Sequence, residues 1–141
     1  MQKTYSGTYW YTGAVPKDLK NVRTNFQLEL EATNDLKFTG TVEDDVTTGG
    51  TPGIGNIEGE WKKNTIVFVK QMPVFTHFNS DGSMVTGRPP HQPIYYKGNV
   101  DTVTGNIRGT WKVKFSVSFS KGRLWILPSV KGEWEMRQHT E

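Results

Sequence analysis

Polar and apolar residues alternate along most of this chain, and glycine recurs at the centre of the alternation. Tyr5-Ser6-Gly7-Thr8-Tyr9, Phe38-Thr39-Gly40-Thr41-Val42 and Ile57-Glu58-Gly59-Glu60-Trp61 each read apolar, polar, glycine, polar, apolar. Tyr96-Lys97-Gly98-Asn99-Val100, Ile107-Arg108-Gly109-Thr110-Trp111 and Val130-Lys131-Gly132-Glu133-Trp134 repeat it. A period of two means strand, because successive side chains point to opposite faces. Glycine weakens a strand, so its place on the apolar face calls for a geometric reason. Tight coiling of a closing barrel, or close approach of another group, is such a reason. Extending the alternation predicts eight strands, near 3–12, 22–33, 35–44, 55–61, 64–72, 93–101, 106–119 and 124–137. No segment shows a capped helical period. The expectation is an all-β chain, a single domain over 1–141, folded as an eight-stranded antiparallel up-and-down β-barrel. A two-sheet sandwich is the competing architecture.

The connections separate the two ends of such a barrel. Thr33-Asn34-Asp35, Lys62-Lys63-Asn64 and Asp101 to Gly105 are short and carry hairpin chemistry. Gly13 to Asn21, Asp45 to Gly53, Pro73 to Gln92 and the region from Ser120 to Arg123 make up the longer set, with Leu124 to Pro128 readable as strand or connection. All the long loops fall at one end. Long loops on a rigid scaffold are where binding residues concentrate, so that mouth is the candidate site. Counting by two turns Asp44 inward with Phe38, Gly40 and Val42, and Lys70 inward with Ile66 and Phe68. Both strands run toward the long-loop end, so a carboxylate and an ammonium should meet near one rim. They either close the barrel as an ion pair or hold the polar head of a ligand.

Other chemistry is weaker. His77, Asp81 and His91 share the Pro73–Gln92 loop, but their spacing matches no metal-ligand motif, and the segment reads as a polar loop. Asp44 and Asp45 cannot act as a carboxylate pair, since neighbouring strand residues face opposite ways. Asp45 reads instead as the initiator of the turn before Thr47-Thr48-Gly49-Gly50. The glycines from Gly49 to Gly55 precede a strand rather than a helix, which disfavours a phosphate loop. Composition adds exclusions: 141 residues with no Cys remove disulfides, thiol catalysis and thiolate metal sites. A net charge of +3 is too slight to argue for nucleic acid. Trp61, Trp111 and Trp134 also fall on the apolar face, away from the lysines. No apolar run is long enough to cross a membrane as a helix, and Met1 to Trp10 holds no signal-like apolar stretch.

Gly7-Thr8-Tyr9-Trp10, Thr39-Gly40-Thr41 and Gly132-Glu133-Trp134 resemble the calycins, the superfamily of lipocalins, avidins and fatty-acid-binding proteins. Their Gly-x-Trp and Thr-Gly-x-aromatic strands resemble the avidin branch in rhythm. A longer phrase, Phe38-Thr39-Gly40, Asp44, Gly55, Ile57-Glu58-Gly59 and Ile66-Val67-Phe68-Val69-Lys70, is similar to small lipocalin-like proteins without an assigned activity. The resemblance implies an eight-stranded barrel with a ligand cavity at one end. Val42 and Ile66 to Val69 stand where avidins carry an aromatic and a Trp, so biotin binding is not implied. Strict lipocalins are usually secreted with a disulfide; without either signal, the expected location is cytoplasmic.

The expectation is a protein that binds a small apolar or amphipathic molecule at the barrel mouth, with no cofactor and no metal and with binding favoured over catalysis. Phe38, Phe68, Tyr96, Trp111 and Trp134 line the interior, and Asp44 and Lys70 are its polar anchors. Val67 and Val69 are apolar on what should be the solvent face, which raises a homodimer or a protein partner at the outer wall. A third reading is an isomerase or hydrolase that uses His77 or His91.

Overall fold

A computed structural model of the chain describes residues 2–13, 21–73, 75–78, 84–87, 93–114, 116–120, 122–127 and 129–139. The strands are β1 (Gln2–Thr12), β2 (Arg23–Ala32), β3 (Lys37–Asp44), β4 (Ile54–Lys62), β5 (Thr65–Gln71) and β6 (Phe75–Phe78). They continue with β7 (Met84–Gly87), β8 (Ile94–Val100), β9 (Ile107–Val113), β10 (Ser116–Ser120), β11 (Arg123–Leu127) and β12 (Val130–Gln138). Eight of them close an antiparallel barrel in the order β1-β12-β9-β8-β5-β4-β3-β2, with every strand beside its neighbour in the up-and-down path. The remaining four form two separate hairpins, β6–β7 and β10–β11. No described helix is long and apolar enough to cross a membrane.

The barrel agrees with the expected all-β fold, but two connections differ from the sequence reading. Alternation carries the strand at 106 through 119, whereas β9 leaves the barrel after Val113. Val113 faces Ile94 on one side and Val130 on the other, the last rung on both ladders. Residues beyond that rung have no barrel strand to meet, so Ser116–Ser120 pairs with Arg123–Leu127 instead. The Pro73–Gln92 segment likewise holds a hairpin, Phe75 facing Gly87 and Phe78 facing Met84. Both hairpins interrupt connections at the long-loop end.

The tight turns at the other end use local side-chain acceptors. Asn34 Oδ1 accepts from the backbone N–H of Leu36 and Lys37 at 3.1 and 3.0 Å. Asp101 Oδ1 accepts from Val103 and Thr104, and Gly105 closes that turn at φ 78°. These short polar turns fix the strand register without adding bulk.

The interior explains the repeated glycines. On β9 and β12 the two Gly-x-Trp motifs run antiparallel and interlock: Trp111 faces Gly132, and Trp134 faces Gly109. The Trp111 ring lies against Gly132, and the Trp134 ring reaches past β9 to Gly98 on β8. The Trp111 N–H donates to the carbonyls of Trp10 and Glu133, both at 3.2 Å. The Trp134 N–H donates to Lys97 and Thr110, at 3.2 and 3.0 Å. A Cβ at Gly132 would meet the Trp10 carbonyl and the Trp111 ring, and one at Gly98 would sit 2.6 Å from Trp134. Glycine is therefore the seat for a ring, and the buried indoles still satisfy their donors.

The rings then pack on one another. Phe68 stacks on Tyr96 with centroids 4.7 Å apart, and Trp134 meets both edge-on at 5.6 and 5.5 Å. Phe38 touches Phe68 from the β3 side at 6.4 Å. Leu28, Ile66 and Ile107 are buried beside them. This cluster fills the middle of the barrel and holds the walls that carry the mouth.

Candidate functional site

Asp44 is the last residue of β3, and Lys70 lies one residue before the end of β5. Period two turns both inward, and β4 lies between their strands, so the two side chains meet across its inner face. Lys70 Nζ donates to Asp44 Oδ1 at 2.7 Å and to Oδ2 at 2.9 Å. The two side chains are only 3% and 2% exposed, which makes this a fully desolvated ion pair. Tyr9, inward on β1, reaches Oδ2 with its hydroxyl at a longer 3.4 Å. The ammonium also lies 5.0 Å from the Tyr9 ring centroid and 5.8 Å from that of Tyr96, within cation–π range.

Burial shifts Lys70 and the three tyrosines in the sense that desolvation of a charge predicts. Burial pushes the Lys70 ammonium below its ordinary pKa, and the Asp44 charge works against that push. Burial and the Asp44 charge raise Tyr9 and Tyr96 well above the usual tyrosine value. Burial, aided by the same carboxylate, raises Tyr11 to about 12. The tyrosines at the mouth are thus neutral hydroxyls, able to donate hydrogen bonds at any ordinary pH.

The β3–β4 loop walls the pair on the β2 side. Asp45 caps a 3-10 turn over Val46–Thr48, accepting from the Thr47 backbone N–H at 2.9 Å and from its hydroxyl at 2.6 Å. That is the turn-initiating part expected for it, and the Thr47 hydroxyl holds its carboxyl below the usual range. Thr24 on β2 donates its hydroxyl to the Thr48 carbonyl, and the Thr48 hydroxyl accepts from Asn25 N, each at 3.0 Å. Gly50 then passes so close to Asp44 that an added Cβ would sit 2.5 Å from the Asp44 Cβ. Thr51 and Met72 are buried nearby.

All of Phe38, Asp44, Phe68, Lys70, Tyr96, Trp111 and Trp134 lie in the interior, each buried. The structure brings Asp44 and Lys70 together under the mouth and gathers the aromatic members into the ring cluster below. Tyr9 and Tyr11 belong beside the pair, and sequence reasoning does not single them out. The signal is present, since both alternate inward with Gly7 on β1. His77 falls on β6, where only the strand pairing is described, while Asp81 and His91 lie outside the described residues. Among the described residues no three metal-ligating side chains cluster.

Among the described residues, two open grooves of about 1010 and 680 Å³ lie on the outer wall. The larger is lined mainly by outward residues such as Glu58, Val67, Val69, Tyr95 and Lys112. Compared with protein-family models, curated proteins and solved structures, the chain matches none.

Proposed function

We propose that this chain is a non-enzymatic, calycin-like binding protein that takes a small amphipathic molecule at the long-loop end of its barrel. Its polar head meets Lys70, and its apolar part rests against the tyrosine faces and the β3–β4 loop. The observation that carries this reading is the hydrogen-bond count at the buried ammonium. Lys70 has three N–H donors. Two are used on Asp44, and among the described residues the third has no oxygen acceptor. A carboxylate, carbonyl or hydroxyl oxygen complements it. Desolvated ion pairs are poor sources of stability, because an apolar pair of similar volume often does as well or better. A pair kept at the mouth of a barrel is therefore better accounted for by recognition than by closure.

The test compares the wild type with the Asp44→Asn/Lys70→Met double variant, which removes both charges while keeping the side-chain volumes. The probe is dansylaminoundecanoic acid, with unlabelled decanoate as competitor. The wild type should bind it saturably and release it to decanoate. The double variant should fold and bind about tenfold more weakly or worse, as expected for one lost charge-assisted hydrogen bond. A folded double variant with undiminished binding would leave the pair a closing device and remove the reading.

A further inference from the structure

The outer wall of β4, β5, β8 and β9 carries a surface that an isolated barrel does not need. One row of facing residues turns inward across these strands: Gly59, Phe68, Tyr96 and Trp111. On either side of it, outward side chains form two ridges. The ridge nearer the mouth reads Glu58, Val69, Tyr95, Lys112, and the other reads Glu60, Val67, Lys97, Thr110. The larger groove is the trough between these ridges. A solvent-facing antiparallel wall is ordinarily polar. Here Val67 and Val69 sit at its centre, and Tyr95 beside them is 37% exposed. Charge is also divided across it, carboxylates on β4 and ammonium groups on β8 and β9. Neither Glu58 nor Lys112 makes an ion pair with a described residue.

We propose that a second copy of this chain covers this wall, related by a twofold axis parallel to the strands and passing between β5 and β8. Charge complementarity, fixed by the strand register, selects this arrangement. Such an axis lays β5 of one copy over β8 of the other and β4 over β9, with each ridge meeting its own counterpart. Val69 then meets Tyr95 of the second copy, Glu58 meets Lys112, and Glu60 meets Thr110. Val67 lies against the Lys97 stem, whose methylenes suit an apolar neighbour. Every contact occurs twice, as an isologous interface requires. The other in-plane twofold, perpendicular to the strands, sets Glu58 against Glu60 of the second copy and is disfavoured by repulsion. This inference is independent of ligand binding at the mouth, since the ridge side chains point outward and the Asp44–Lys70 pair points inward.

Sedimentation velocity across micromolar to submillimolar protein, with near-ultraviolet circular dichroism to confirm folding, tests it. The wild type should sediment as a dimer that weakens with added salt. Glu58→Lys and Lys112→Glu should each weaken dimerisation by about tenfold or more, since each places like charges together twice. The combined Glu58→Lys/Lys112→Glu variant should recover the dimer, because the swapped charges face one another again. Tyr95→Ser should shift the equilibrium to monomer without changing the fold. A wild type that stays monomeric overturns the proposal, as do single swaps that leave the dimer intact or a double swap that fails to restore it.

Discussion

Two regions of this barrel are equally buried and hold together for opposite reasons. In the tryptophan layer, Trp134 is fully buried, its ring lies over Gly98, and its N–H is satisfied by two carbonyls. At the mouth, Asp44 and Lys70 are just as inaccessible, yet their mutual attraction is set against the cost of taking two charges out of water. The first region gains from shape: large rings fitted to missing side chains. The second gains from pairing alone, and an apolar replacement of both partners loses little. Burial by itself therefore does not say whether a residue is there for stability. What decides it is what happens when the group and its partner are removed together.

Urea unfolding separates the two regions most sharply through truncation. Trp134→Ala should cost about 3–5 kcal/mol, because the ring leaves a cavity that the rigid strands cannot close. Lys70→Met alone should cost a similar amount, about 3–5 kcal/mol, since it strands the Asp44 carboxylate without a partner. The Asp44→Leu/Lys70→Met double variant, apolar at both positions and close in shape to the pair, should return to within about 1 kcal/mol of the wild type or exceed it. A double variant as unstable as Lys70→Met would make the pair a structural clamp and erase the contrast.

Two glycines give a finer version. Gly132→Ala should cost about 3 kcal/mol, as overpacking against the Trp10 carbonyl and the Trp111 ring forces the strands apart. Gly105→Ala meets nothing within 4 Å and costs only the strain of φ 78°, about 1 kcal/mol. Equal costs would mean that the rings do not depend on the bare strand.

The same two kinds of burial also differ in pH dependence. Lys70 holds its proton less tightly folded than unfolded, so stability should rise with pH from its lowered pKa up to the ordinary lysine range. Tyr9, Tyr11 and Tyr96 hold theirs more tightly folded, so stability should fall once pH passes about 10, where unfolded tyrosines ionise. The rise should be absent from the double variant and the fall retained. Urea midpoints between pH 7 and 11 report both, with each group limited to about 1.4 kcal/mol per pH unit.

Much of this architecture is legible in the order of the amino acids alone. Counting by two from Phe38 and Ile66 turns Asp44 and Lys70 inward, and the loop lengths put them at the same rim. The alternation around six glycines announces a barrel wall. What a single strand's period cannot carry is the register with its neighbour. The seating of Trp111 on Gly132 depends on how β9 meets β12, and the departure of β9 after Val113 depends on where Ile94 and Val130 end their ladders. Tyr9 and Tyr11 are hidden for the same reason. Their inward face is readable, but their nearness to the β3–β5 pair requires closure of β1 around the barrel.

The most direct test of the mouth as the binding site is a titration of isotope-labelled protein with decanoate, followed by amide chemical shifts. The account predicts saturable changes at Asp44 to Gly53, Lys70 to Met72 and Tyr9 to Tyr11, with the outer ridge of Val69, Tyr95 and Lys112 unmoved apart from the neighbour of Lys70. Shifts concentrated on that outer ridge, or none at the mouth at saturating decanoate, would contradict it.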